Sequence, residues 1–309
     1  MIIVQPLKKL KKILNHRDLI LQDILNYYKN HRPMMKAFLI DQKSSRNCYF
    51  NLALEEALCL NFTKYNLLGG LRFWWNENSI IAGISDPLSK NIPEETLISF
   101  KENLYSLQSI KSKEIPSSLS IARRASGGGT VYQEKDWNLN YSIFINLKEK
   151  KELYPINDSY SILSNIVISA LRKVGINALQ AGKSDLSIQG AENLLKISGN
   201  AQFRKKDCLV HHGTLILKQE LIDKVKTVLK HPPLEPDYRK GRSHEKFITT
   251  LPENFALPLF KKSLKNELEQ YLGIEYKSAE LSYLKNSVRL SFPLIEEKYL
   301  NSEFIFSRE

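Results

Sequence analysis

No stretch of this 309-residue chain approaches the ~20 consecutive apolar residues that a membrane-spanning helix needs, so a soluble protein with no membrane partner is expected. Cysteine is scarce. Cys48, Cys59 and Cys208 are too few to staple so long a chain, and no CxxC or HExxH spacing offers a metal site. A reducing, cytoplasmic compartment is the expectation. Residues 1–36 have neither a clean apolar h-region nor a small-residue cleavage site, which argues against a secretory signal. Acidic residues are the minority, 33 against 45 Lys and Arg, for a net charge of +12. Residues 1–36 supply +6 of that, with eight Lys or Arg against two Asp, so the remaining body is only mildly basic. No basic patch interleaved with aromatics occurs, and no nucleic-acid partner is expected.

Hydrophobic residues make up 42% of the chain and charged residues 25%, enough to build a sizeable core under a solvated surface. Residues 1–36 read as a basic helical extension, with Leu21, Ile24, Leu25 and Tyr28 at helical spacing. A catalytic domain is expected over 37–250 and a small C-terminal segment over 251–309. Within the domain, NLALEEALCLNF predicts a helix capped by Asn51. LRFWWNENSIIAGI predicts two strands about a turn at Asn76 to Ser79. Residues 86–120, polar and marked by Pro87, Pro93 and Pro116, read as a long surface excursion. LNYSIFINL alternates as a strand, and helices are expected near 158–174, 219–230 and 257–272. Three short strands follow from Asp185 to Leu217. The class is α+β, with a central mixed, mostly antiparallel sheet flanked by helices.

Glycine is sparse too, thirteen in all, yet Gly127, Gly128 and Gly129 stand in series behind Arg123, Arg124 and Ser126. Glycine loses more backbone entropy on ordering than any other residue, so the run implies either a turn or a close approach of backbone to a ligand. Two arginines beside it suit an anion or a carboxyl group. Downstream, Lys196 lies in a strand of apolar and small residues, where alternation lets it share a face with Ser198 and Asn200. That face is either solvent-exposed or the wall of a polar pocket. His211 and His212, adjacent on a strand, point to opposite faces and do not suit a shared metal.

RRASGGGTVY, NLNYS, SDL, KISGNAQ and HHGTLIL, in this order, resemble the lipoate-protein ligase branch of the biotin/lipoyl ligase and lipoyl (octanoyl) transferase superfamily. With NLALEEAL, LRFWWNENSIIAGI and YRKGRSHEKF the resemblance spans about 37–250. It implies the biotin/lipoyl ligase catalytic fold. It also implies that lipoate or octanoate is activated with ATP, whose Mg²⁺ arrives with the nucleotide, and passed to a lysine of an apo lipoyl domain. The implied acceptors are the E2 subunits of 2-oxoacid dehydrogenases and the glycine cleavage H protein. Lys196 matches the family's catalytic, nucleotide-contacting lysine, and Asp185 its acidic residue near the nucleotide. Arg124, Ser126, Gly127, Gly128, Gly129, Ser198, Gly199, His212 and Gly213 fall in the acyl-substrate motifs.

The chain departs from the family pattern in three places. Gln133 and Glu134 stand where His-Asp is commoner, and Ser184-Asp185 replaces an Asn-Asp pair. The segment after 250 is shorter than the accessory domain of bacterial lipoate ligases. An alternative of the same fold is an ATP-independent octanoyl or lipoyl transferase with a cysteine thioester, for which Cys208 is the candidate near the site.

Overall fold

A computed structural model describes residues 37–109, 119–276 and 280–309. The extension expected over 1–36 lies outside the described residues. In chain order the elements are β1 (Ala37–Asp41), α1 (Cys48–Phe62), β2 (Gly69–Trp74), β3 (Ser79–Ala82), α2 (Glu94–Ser109), β4 (Ser120–Arg123), β5 (Val131–Gln133) and β6 (Asn138–Asn146). Then come α3 (Ile156–Arg172), β7 (Leu179–Ala181), β8 (Asp185–Gln189), β9 (Leu194–Lys205), β10 (Cys208–Ile216), α4 (Gln219–Val228), α5 (Leu257–Leu272) and α6 (Leu281–Leu294), with single helical turns between some of them.

Seven strands form the main sheet in the order β1-β2-β6-β10-β9-β8-β7. Only β1 and β2 run parallel; the other pairs are antiparallel, as the mixed-sheet expectation requires. Strand β6 shows how the sheet is filled. Leu139, Tyr141, Ile143 and Ile145 point to one face and join Leu163, Val167 and Leu171 of α3 and Phe260, Leu264 and Leu268 of α5. Phe144 points the other way, into Phe38, Phe62 and Tyr283. Both faces of β6 are therefore buried, and Ser142 reaches Glu55 of helix α1. Each fully buried Phe or Leu contributes roughly 1.5–3 kcal/mol, which places most of the fold's stability in these two layers.

Two expectations are corrected. Helix α1 begins at Cys48, capped by Asn47, whose side chain accepts from the Phe50 N–H at 2.8 Å. Asn51 lies inside the helix, where it bonds Arg72 and Asn76 instead. Residues 86–120 include helix α2, whose Leu97, Phe100 and Leu104 are buried at helical spacing. The two strands expected about a turn at Asn76 to Ser79 are β2 and β3, and they belong to different sheets: β3 leaves to form a second, three-stranded sheet in the order β4-β3-β5. That second sheet has its own core with α2 and α4, and it carries the arginine–glycine loop between β4 and β5.

Candidate active site

A cavity of about 310 Å³ opens where the β4–β5 loop faces strands β9 and β10. Its wall is apolar at Leu52, Trp74, Ile81, Leu221 and Val225, and charged at Lys183, Asp185, Lys196 and Arg239. Such a wall suits a ligand with a hydrocarbon body and an anionic head.

Lys196 and Asp185 meet on this wall, with Nζ 2.9 Å from Oδ1. The meeting depends on sheet register. Asp185 stands opposite Gly199, whereas Lys196 stands opposite Ser187, because a bulge on β9 leaves Ile197 unopposed. The lysine must therefore cross Gly199 to reach the carboxylate. A Cβ added at Gly199 would lie 3.0 Å from Nζ and 3.1 Å from Cε, so glycine clears the path. The other carboxylate oxygen, Oδ2, accepts from the Tyr238 hydroxyl at 2.9 Å. Burial, then the neighbouring Asp185 charge, pushes the Tyr238 phenol well above its ordinary value, so it stays a donor. Asp185 is held from two sides, and Lys196 keeps 22% of its side chain exposed toward the cavity. The lysine is neither an outward surface residue nor fully buried.

Arg123 ends strand β4 and Arg124 opens the loop after it, and their side chains diverge. Arg123 is buried and donates to the carbonyls of Gly83, Asp86 and Ile305. Arg124 turns to the glycine loop: Nη2 donates to the carbonyls of Gly127 at 2.6 Å and Gly129 at 2.9 Å, Nη1 to Ile81 O and Nε to Ser126 Oγ. Burial draws its guanidinium down to about 10, so it remains charged at neutral pH. Gly128 adopts φ +85°, a left-handed geometry that disfavours side chains. Its carbonyl packs so closely on Gly83 that a Cβ there would overlap it. The loop is thus clamped by a guanidinium on one side and a second glycine on the other.

His212 projects from β10 into the cavity wall. Gly213 beside it leaves room for the Tyr141 hydroxyl to bond Asn200 Oδ1 across the strand. Asn200 Nδ2 in turn donates to Ser184 O at 2.8 Å, fixing the turn before Asp185. Gln133, in place of the commoner histidine, is on the wall and engaged with Asn76, Asn140 and Thr214.

The cavity wall brings together Arg124, Gly128, Gly129, Asp185, Lys196, Gly199, His212 and Gly213. Ser126, Gly127 and Ser198 lie beside it rather than on it, and Ser198 is fully buried. Cys208 is also fully buried, away from the wall and in contact with Cys59. Burial and the nearby Cys59 push its thiol well above the ordinary range, opposite to what a thiolate nucleophile needs. Sequence reasoning missed Gly83, Tyr238 and Glu55. For Glu55 the available signal was its apolar flanks, Ala53, Leu54, Ala57 and Leu58, unusual for a solvated carboxylate.

The folds that resemble this one are acyl-ligase folds. The bipartite lipoate protein ligase of Thermoplasma acidophilum, solved in work on its E2 lipoyl domain, superposes with a TM-score of 0.67 at 18% identity, covering 89% of this chain and 98% of that one. A lipoate-protein ligase A bound with ATP gives 0.63 at 20% identity, covering 90% and 100%. At such identities the likeness shows the fold. Residues 47–272 match the lipoyl protein ligase A/B catalytic domain, and the chain belongs to that family. Lipoate–protein ligase 1 of Staphylococcus aureus is 28% identical over 232 residues, 72% of this chain and 61% of the relative. The chain spans about half the length of the curated relatives it matches.

Proposed function

We propose that this chain activates lipoate, or octanoate, with ATP and transfers the acyl group to a lysine of an apo lipoyl domain. The observation that carries the reading is Lys196: a cation held by Asp185 on the wall of a cavity that is apolar at Leu52, Trp74, Ile81, Leu221 and Val225. In the first step a carboxylate oxygen attacks the α-phosphorus and pyrophosphate leaves. In the second the acceptor amine attacks the acyl carbonyl, AMP leaves and the amine gives up a proton. The first step brings two anions together, so it needs fixed positive charge. Lys196 supplies that charge, and Asp185 with Tyr238 keeps the ammonium in place until the substrates arrive. No cluster of three or more metal-ligating side chains occurs among the described residues, and both Asp185 oxygens are engaged. Mg²⁺ would arrive on the triphosphate, whose charge it shields as the carboxylate attacks.

The name of the S. aureus relative and the ATP on one structural neighbour support this reading. The acceptors it implies are the lipoyl domains of E2 subunits and of the glycine cleavage H protein. The compartment it implies is the cytoplasm, in keeping with three buried, unpaired cysteines. Among the described residues no helix is long and apolar enough to cross a membrane.

Purified protein is expected to modify an apo lipoyl domain when given lipoate and Mg·ATP, with pyrophosphate released in step. Octanoyl-carrier protein without ATP is expected to give no product. Cys208→Ser should keep most of the activity, since the thiol is buried and off the cavity wall. A dead serine variant together with an acyl-enzyme formed without ATP, cleaved by hydroxylamine, would replace the ligase reading by the thioester transferase.

A further inference from the structure

Helix α1 contributes a carboxylate to the site from behind the sheet. Glu55 is almost completely buried; it accepts from Ser142 Oγ at 2.5 Å, and its two oxygens lie 3.0 and 2.9 Å from His212 Nδ1. Burial alone would raise this carboxyl, but His212, Ser142 and Arg72 together hold it below the usual carboxylate range. An ionised Glu55 accepts only, so His212 must carry a proton on Nδ1. In the neutral ring Nε2 is then an acceptor. It lies 2.7 Å from Ser126 Oγ, accepting from the hydroxyl in that form and donating to Oγ if the ring carries both protons, so the two residues are joined in either state. The same Oγ accepts from Arg124 Nε at 2.9 Å, and Arg124 holds the carbonyls of Gly127 and Gly129. One unbroken chain of hydrogen bonds thus joins helix α1 to the glycine loop.

The order carboxylate, imidazole, hydroxyl is that of a nucleophile relay. Ser126 is unsuited to attack: it is 1% exposed, lies off the cavity wall and lends a lone pair to a guanidinium. Taken with the ligase reading above, on which its role in the reaction rests, we propose that Glu55 and His212 are positioning residues: they orient Ser126, and through it Arg124, so that the glycine loop holds the geometry that receives the acyl substrate. The chain acts on the acyl half of the reaction. The Asp185–Lys196–Tyr238 group shares no hydrogen bond with it.

Two variants of the full chain test this, Glu55→Gln and Ser126→Ala. The amide no longer dictates the ring tautomer; the alanine cuts the chain without leaving a buried charge, so it serves if the glutamine variant folds poorly. Both are expected to raise the KM for lipoate by about tenfold while the KM for ATP stays within about twofold, the effect of one or two buried hydrogen bonds. Hydrogen exchange across residues 124–131 should accelerate by about tenfold in both, with α3 and α5 unchanged. Unaltered exchange in the Ser126→Ala loop overturns the proposal. So does an equal rise in both KM values, which would mean general loosening. If wild-type protein does not ligate lipoate, the functional reading fails, while loop exchange still decides whether the chain sets the loop.

Discussion

Lys196→Ala is expected to lower acyl-adenylate formation by about a thousandfold while the protein stays folded. Removing one preorganised charge from an anion-stabilising site costs 10²–10³ in rate, and here the charge must offset a carboxylate and a phosphate at once. The fold should survive because Lys196 is partly exposed and packs mainly across Gly199, while Asp185 keeps its bond from Tyr238. Lipoate-dependent exchange of pyrophosphate into ATP measures the loss, and calorimetric melting checks the fold. An unchanged exchange rate would take Lys196 out of the mechanism. A fall of many degrees in Tm would make it a structural residue.

Gly128→Val should abolish acyl-substrate binding with little effect on nucleotide binding. At φ +85° a β-branched residue is strained by ~2–3 kcal/mol, equivalent to about a hundredfold in affinity if the loop must rearrange. Sterics add to this. The new Cβ would stand 3.0 Å from Arg124 Nη2, the atom that holds two loop carbonyls, while the Gly128 carbonyl is already pressed on Gly83. The loop cannot move away without breaking the guanidinium clamp. Titration calorimetry with lipoate should show no measurable heat; wild-type affinity would reduce the glycines to a plain turn.

The motifs told more than the boundaries did. Helices α3 and α5 and strand β6 were legible because their apolar periods are clean. Helix α2 was not: Leu97, Phe100 and Leu104 sit among Glu94, Glu95, Lys101 and Glu102, so the stripe is narrow and the proline-flanked segment read as surface. Asn47 and Asn51, one helical turn apart, are equally good caps on paper. The choice fell to Arg72, a buried guanidinium on β2 that needed Asn51 as a partner. The division of β2 and β3 between sheets is a long-range outcome that no local signal carries. Within the site, the lysine, the aspartate and the glycines were legible as residue types. Glu55 was not, because a Glu-Glu pair on a helix ordinarily faces water.

That pair has a mechanical consequence. Glu55 is spent on His212, while Glu56, the next residue, is clasped by Lys298 at 2.7 Å, by the Tyr299 hydroxyl at 2.5 Å and by Lys205 at 3.2 Å. Consecutive positions on a helix point about 100° apart. Helix α1 is therefore keyed at two places, one at His212 on the cavity wall and the other at Lys298 and Tyr299 in the chain's last thirty residues.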